Sequence, residues 1–256
     1  LLLCVFIFFV PESPVFLKTF KNTFGTGSSQ SSTDAHHSQD SILSSRYRGS
    51  LILGVMMMFF QQFSGINAVL SNLGRIVVSK SGPACAASSQ CFSCLLCITI
   101  IEKLGRNKTW QISLFGAAAS MFVLALDNKY EIPLLRTVNQ DGVPQSTISM
   151  LAAFLFLFFF CFGLGPIPWF FCPETFPDRV RGIAMSILSA LNWIFSFCII
   201  FIYPIMTSSL GMPMTLMIFG GILVSGGFYG MKMIKESPAS TPADEIPSFA
   251  DVQVEL

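Results

Sequence analysis

Six stretches of this chain are long and apolar enough to cross a lipid bilayer, and they restrict its fold more than any motif does. They are residues 49–78, 84–101, 109–126, 148–171, 183–206 and 212–234. A membrane-spanning helix needs about 20 predominantly apolar residues. Within lipid no water satisfies the backbone, so such runs are expected to be helices. Composition agrees: 52% of the 256 residues are hydrophobic and only 11% are charged, against roughly a quarter charged in soluble domains. The formal net charge of +1 offers no footing for nucleic acid. The expectation is an all-α membrane protein embedded in a lipid bilayer.

The flanks divide the chain further. LLLCVFIFFV is too short to span, and it lacks the Met and basic flank of a signal peptide. Residues 1–17 therefore read as the end of a helix that begins upstream, which makes the chain a piece of a longer protein. Residues 18–48 are polar and Ser-rich and include His36 and His37, a composition that buries too little to fold alone. Residues 49–234 form the six-helix bundle, and residues 235–256 are a tail rich in Pro and acidic groups. Pro11-Glu12-Ser13-Pro14 and Lys235-Glu236-Ser237-Pro238 close the first and last apolar segments, an echo that fits parallel six-helix repeats.

Orientation follows from the basic residues. Alternating sides groups Lys18, Lys21, Arg46, Arg48, Lys103, Arg106, Lys108, Arg179, Arg181, Lys232 and Lys235 against Arg75, Lys80, Lys129 and Arg136. An excess of Lys and Arg marks the cytoplasmic side, so loop 18–48 and the tail are expected in the cytosol. The sequon Asn107-Lys108-Thr109 then also faces the cytosol and stays unglycosylated.

Polar residues inside the spans are the candidates for function. FFQQFSGINAV places Gln61, Gln62, Ser64 and Asn67 where lipid is expected. At 100° per residue these side chains and Gly65 sweep about 220°, too wide for a single interhelical seam. That arc suits a helix facing a water-filled cavity and loosened at Ser64-Gly65; the plainer reading is polar glue between helices. FGLGPIPWFF, residues 162–171, carries two Gly and two Pro, which break a helical ladder. Such a break survives in a membrane only where protein or a cavity lines it. Sugars have apolar C–H faces that stack on rings such as Trp169, and hydroxyls that pair with amides. Asn192-Trp193 offers another amide and indole, although a Trp in a membrane protein is often an interfacial anchor.

Charges gather at one set of helix ends: Glu102, Lys103 and Arg106 after one span, Glu174, Arg179 and Arg181 after another. They are either solvated or an ion-pair latch that opens when helices rock. Cys91, Cys94 and Cys97 share one helical face, and most of the other cysteines also lie in apolar runs. Small residues packing between helices explains them better than a metal site. No cofactor or metal is expected, and no nucleophile with a base or phosphate loop points to an enzyme.

Taken together these motifs resemble the sugar porter family of the major facilitator superfamily, the group of the glucose facilitators. QQFSGINAV resembles its seventh-helix signature, and PESPVFL the close of its sixth helix. EKLGRNK resembles the loop between its helices eight and nine. GLGPIPWFFCPETFPDRVRG resembles its tenth helix and following loop, and NW its eleventh.

The resemblance implies a twelve-helix transporter. This chain would supply the C-terminal six-helix bundle and the end of the sixth helix, with the N-terminal six-helix half as its missing partner. Gln61, Gln62, Asn67, Trp169 and Asn192 would contact a monosaccharide, and Gln90 falls by spacing where the family has a further contact. Glu102, Arg106, Glu174 and Arg181 would form the cytosolic charge network, with Gly165, Pro166 and Pro168 as the moving break. The implied activity is alternating-access transport of a hexose, in the plasma membrane. The alternatives are a non-transporting sugar sensor on the same fold and an inactive half-length fragment. Ser71 and Asn72 stand where the family has gate aromatics, Cys161 where glucose facilitators have a carboxylate, Leu164 where a Pro is usual, Ser196 where a second amide is, and Val15 where the sixth-helix motif has Arg.

Overall fold

The first span is two helices, not one. In the computed structural model α1 covers Ser45–Gln62 and α2 covers Ile66–Ile76, so the helix already starts ahead of residue 49. Between them Gly65 adopts φ 81°, a left-handed conformation that a side chain resists. A Cβ there would also lie 2.6 Å from the Phe219 ring. Ser64 covers the gap: its Oγ donates to Gln61 O at 2.7 Å and accepts from Ile66 N at 3.3 Å. The loosening expected at Ser64-Gly65 is therefore a full break.

The structure describes residues 45–76, 82–130, 136–138 and 144–234, all within one unit, Ser41–Leu256. The expected sixth-helix end (1–17) with its PESP closure, the loop to residue 44, the KESP closure beyond Ile234, and the tail lie outside the described residues, as do His36, His37, Lys80 and the side chain of Arg75.

The remaining helices follow in order. α3 is Gly82–Leu104, and α4 is Arg106–Tyr130. Gly105, at φ 84°, reverses the chain between them. α5 is Thr147–Phe159, continued by a π-helical turn over Phe160–Leu164. α6 is Ile167–Glu174, α7 is Asp178–Leu210 and α8 is Met212–Met233. Six helical segments, counting α1–α2 and α5–α6 as one each, are long and apolar enough to cross a membrane.

One feature of the connections is not expected from the sequence. β1 (Arg136–Val138) and β2 (Pro144–Ser146) pair antiparallel, with Arg136 opposite Ser146. The ribbon delivers Ser146 as the N-cap of α5, where its Oγ accepts from Ser149 N at 3.3 Å. Asp127, near the end of α4 and 2% exposed, accepts from Ser146 Oγ at 2.5 Å and from Ser149 Oγ. A carboxylate at a helix N-terminus complements both the free N–H groups and the macrodipole. This single acidic side chain joins two spans at the ribbon end.

α4 and α8 approach most closely because α8 offers glycine where α4 offers rings. A Cβ on Gly230 would stand 2.1 Å from Trp110, and one on Gly226 2.5 Å from Leu114. Trp110 is fully buried, and its Nε1 donates to Gly226 O at 3.1 Å. Small residues that admit close backbone approach are how membrane helices gain dispersion contacts. Asn107, in the sequon, donates to Ile234 O at 2.6 Å, and Thr109 is buried. By contrast α7 turns Ile194, Phe197, Ile200 and Phe201 outward, and α3 exposes Phe92, Leu95 and Ile98. Outward faces this apolar suit lipid or a second set of helices, not water.

Candidate functional site

The centre of the bundle holds a broken helix whose freed backbone groups are satisfied by its neighbours. Pro166 and Pro168 bring no N–H, and Gly165 N bonds Phe160 O at 2.8 Å, one residue further back than an α-helix allows. Ser113 of α4 inserts into the widened ladder. Its Oγ accepts from Leu164 N at 2.8 Å and donates to Phe159 O at 2.6 Å. From α3, Ser93 Oγ donates to Phe158 O at 2.5 Å, and the Cys94 thiol lies 3.7 Å from Cys161 O. Gly163 is what allows this proximity, since a Cβ there would meet Thr109 O at 2.9 Å and Ser113 Cβ at 2.8 Å.

Gln61 reaches the same break from α1. Its Nε2 donates to Gly165 O at 2.6 Å and to Leu164 O at 3.3 Å. From there four amides run head to tail. Asn192 Nδ2 donates to Gln61 Oε1 at 2.6 Å, Gln62 Nε2 donates to Asn192 Oδ1 at 3.0 Å, and Asn67 Nδ2 donates to Gln62 Oε1 at 3.1 Å. Asn67 Nδ2 also reaches Ser196 Oγ at 3.2 Å, and Asn192 Nδ2 lies 3.3 Å from Met58 Sδ. The chain draws on α1, α2 and α7 and ends on the α5–α6 break.

Burial divides this chain in two. Gln61 and Asn192 are 4% and 3% exposed, while Gln62 and Asn67 are half-buried. An amide in a low-dielectric interior is tolerated only with its partners in place, and both groups of each buried amide, Gln61 and Asn192, have them. Trp169, at the start of α6, is 42% exposed. Its backbone N–H turns back to Pro166 O at 3.1 Å. Trp193 is 70% exposed although Asn192 beside it is buried, because adjacent helical residues point about 100° apart. Gln90 is half-buried on α3, and none of the described hydrogen bonds involves it. The structure thus joins Gln61, Gln62, Asn67 and Asn192 and leaves Gln90 outside their chain.

The charged ends converge on α6. Arg106 pairs with Glu174, and its guanidinium stands over the Phe171 ring, 5.5 Å from the centroid. Arg181 pairs with Asp178 at 2.5 Å. Its Nε donates to Pro173 O at 2.8 Å and Phe176 O at 3.3 Å. Arg181 thus covers carbonyls at the end of α6 and does not bond Glu174, and the exposed Glu102 has no described ion pair.

Ser93 and Ser113 were not among the sequence-derived candidates. The available signal was a serine near the middle of each apolar span, at a depth where a hydroxyl needs a partner. Asp178 was likewise missed, though a carboxylate three residues before Arg181 was visible.

The comparisons with known proteins agree with this architecture. The family profile described as "Sugar (and other) transporter" matches residues 1–244. The chain is 26% identical over 255 residues to plastidic glucose transporter 4 of Arabidopsis thaliana, covering 89% of this chain and 45% of that protein. It is 30% identical over 190 residues to the facilitated glucose transporter member 2 of Sus scrofa, covering 70% of this chain and 34% of that protein. The inward open conformation of the xylose transporter XylE from E. coli superposes with a TM-score of 0.67 at 24% identity, over 94% of this chain and 52% of that one. That last likeness concerns the fold. The chain spans less than half the length of these curated relatives.

Proposed function

The chain belongs to the sugar (and other) transporter family, and from that premise we propose that the protein moves a monosaccharide, a hexose, across a membrane by alternating access. It is a multi-pass integral membrane protein with six membrane-length helices in the described residues. The observation that carries the transport reading is the chain of four amides between α1, α2 and α7, ending on a broken helix that presents Trp169. Amides supply donors and acceptors in equal measure, which is what hydroxyls demand, and the indole supplies an apolar face. No bond of the substrate is made or broken.

In this reading Gln61, Gln62, Asn67, Asn192, Trp169 and Gln90 line one half of the sugar path. A six-helix N-terminal half lines the other and covers the outward apolar faces of α3 and α7. The two halves rock about the site. The Arg106–Glu174 pair and Arg181 hold α6 at the cytosolic end in one state and release it in the other, with Glu102 beside them. The loop 18–48 and the tail lie in the cytosol, and the membrane is the plasma membrane.

Uptake of radiolabelled hexose into proteoliposomes bearing the full-length protein tests this. Saturable uptake that falls in Gln62→Ala and Trp169→Ala is expected. Binding without flux would replace transport by a sensing role, and uptake indifferent to both substitutions would remove the site assignment.

A further inference from the structure

A groove of about 330 Å³ opens between α4 and α5. Small-molecule sites occupy roughly 300–1,000 Å³, so it is large enough to hold a ligand. It exists because both helices turn small side chains toward it: Gly116, Ala119 and Ser120 from α4, Ala152 from α5. A Cβ on Gly116 would run into the Phe159 ring, which closes the inner end. Neither α3 nor α7 lines the groove, so it lies apart from the two faces assigned above to an N-terminal half.

Water has no reason to enter. Ser120 Oγ donates to Gly116 O of its own helix at 2.9 Å. Apart from Thr147 at the mouth, the other lining residues are apolar. Apolar cavities stay dry, and an empty one forfeits the dispersion contacts of its walls. Val123, Leu151 and Leu155, along the rim, are all exposed, so the groove opens to whatever surrounds the bundle. In a membrane that is acyl chain. The length matches as well. From Ile148 to Phe159 α5 rises about 16 Å, and half of a hydrocarbon core is about 15 Å. Gly116 and Phe159 fall near the middle of their spans, Arg106–Tyr130 and Thr147–Glu174. The groove therefore runs from the ribbon-side surface of one leaflet to the midplane.

The mouth carries the chemistry of a headgroup site. Tyr130 lies two helical turns beyond Val123 on the same face of α4, and Lys129 Nζ stands 5.2 Å from the Tyr130 ring centroid. Both are exposed. Tyr and Lys at a helix end meet the membrane interface with a ring and a cation. Among the described residues at that end the only carboxylate, Asp127, is buried and held by Ser146 and Ser149, so it does not neutralise Lys129.

We propose that the α4–α5 groove holds one acyl chain of an anionic phospholipid, whose phosphate rests on Lys129 beside Tyr130. The chain packs on Phe159, the residue whose carbonyl accepts the Ser113 hydroxyl at the start of the break. The lipid thus braces the unbroken part of α5 against α4. The site depends on the bilayer and not on what the protein carries.

Photolabelling tests this. Full-length protein in detergent micelles receives a stoichiometric amount of phosphatidylglycerol bearing a diazirine at the end of one acyl chain. After photolysis the label is mapped by peptide mass spectrometry. Label is expected to concentrate on the groove walls of α4 and α5, above that on Phe228 and Met231, which are exposed apolar residues of α8. Ala119→Phe, whose ring fills the groove, is expected to bring the label down to the α8 level. Lys129→Gln is expected to lower it about fivefold, the weight of one cation against an anionic lipid. Labelling equal on both faces, or indifferent to Ala119→Phe, overturns the site. Labelling indifferent to Lys129→Gln removes the headgroup contact and overturns the anionic phospholipid, as does a diazirine sterol that labels the groove and is not displaced by phosphatidylglycerol. If Ala119→Phe does not fold, Lys129→Gln, at an exposed position, decides alone.

Discussion

Asn72 of α2 donates to the Tyr203 hydroxyl of α7, tying the half-helix beyond Gly65 to its neighbour. Tyr203 in turn donates to Met212 Sδ at 3.2 Å, at the start of α8. Where the resembling family has gate aromatics, this chain has a polar tether. Tyr203→Phe keeps the ring and removes the tether, at a cost of about 1 kcal/mol. A lower midpoint in thermal unfolding, with faster maleimide labelling of Ser71→Cys, is the expected result. Labelling unaffected by the loss of the hydroxyl would show that α2 is held by packing instead.

The Arg106–Glu174 pair is a third to a half exposed, with side-chain exposures of 34% and 46%. Exposed pairs contribute roughly 0–1 kcal/mol, so Arg106→Ala and Glu174→Ala are expected to shift stability by less than that. Transport rate should change much more, because the pair bridges α4 and the part of the broken helix that follows Pro166. The exchange of charges, Arg106→Glu with Glu174→Arg, should recover part of the rate. Rates equal to the parent in both single variants would assign the pair no role in movement.

Asp127 sits 2% exposed against the first turn of α5 and accepts from two serine hydroxyls. Asp127→Asn removes the charge that complements the helix N-terminus and turns an acceptor into a competing donor. A loss of about 1–2 kcal/mol is expected, larger than that of Ser146→Ala. Denaturation midpoints in one detergent compare the two, and the reverse order would refute the argument.

Two glycines of α8 make a matched pair. Ala at Gly230 would put its Cβ 2.1 Å from Trp110, while Gly221 has nothing within 4 Å. Overpacking costs about 1–3 kcal/mol, so Gly230→Ala should lower the unfolding temperature by several degrees. Gly221→Ala should be close to neutral. Equal effects would mean that α4 and α8 separate easily.

The spans were legible because a bilayer demands length and apolarity that few other folds share. Gln61, Gln62, Asn67 and Asn192 were legible because amides are rare at that depth. Their division of labour was not, since adjacent glutamines in one motif carry no sign of which one faces backbone. Only the direction of α1 against the break decides that. Ser113 escaped notice for a related reason: one hydroxyl in an apolar helix looks like filler until its neighbour lacks a donor. The β1–β2 ribbon escaped because six pairing residues between two spans leave no periodic pattern. Gln90 was placed by counting along α3, which locates a turn of helix and says nothing about reach.

The four amides all point the same way, each oxygen receiving the N–H of the next, from Asn67 to Gly165 O. Aligned in this manner their dipoles add and polarise one another. The row has a polarity, and its open end is an oxygen, Asn67 Oδ1. A neutral hydroxyl meets such an end by turning its proton inward. A phosphate or carboxylate has no proton to turn and is repelled. A group that seats on this end of the row must therefore bring a proton with it.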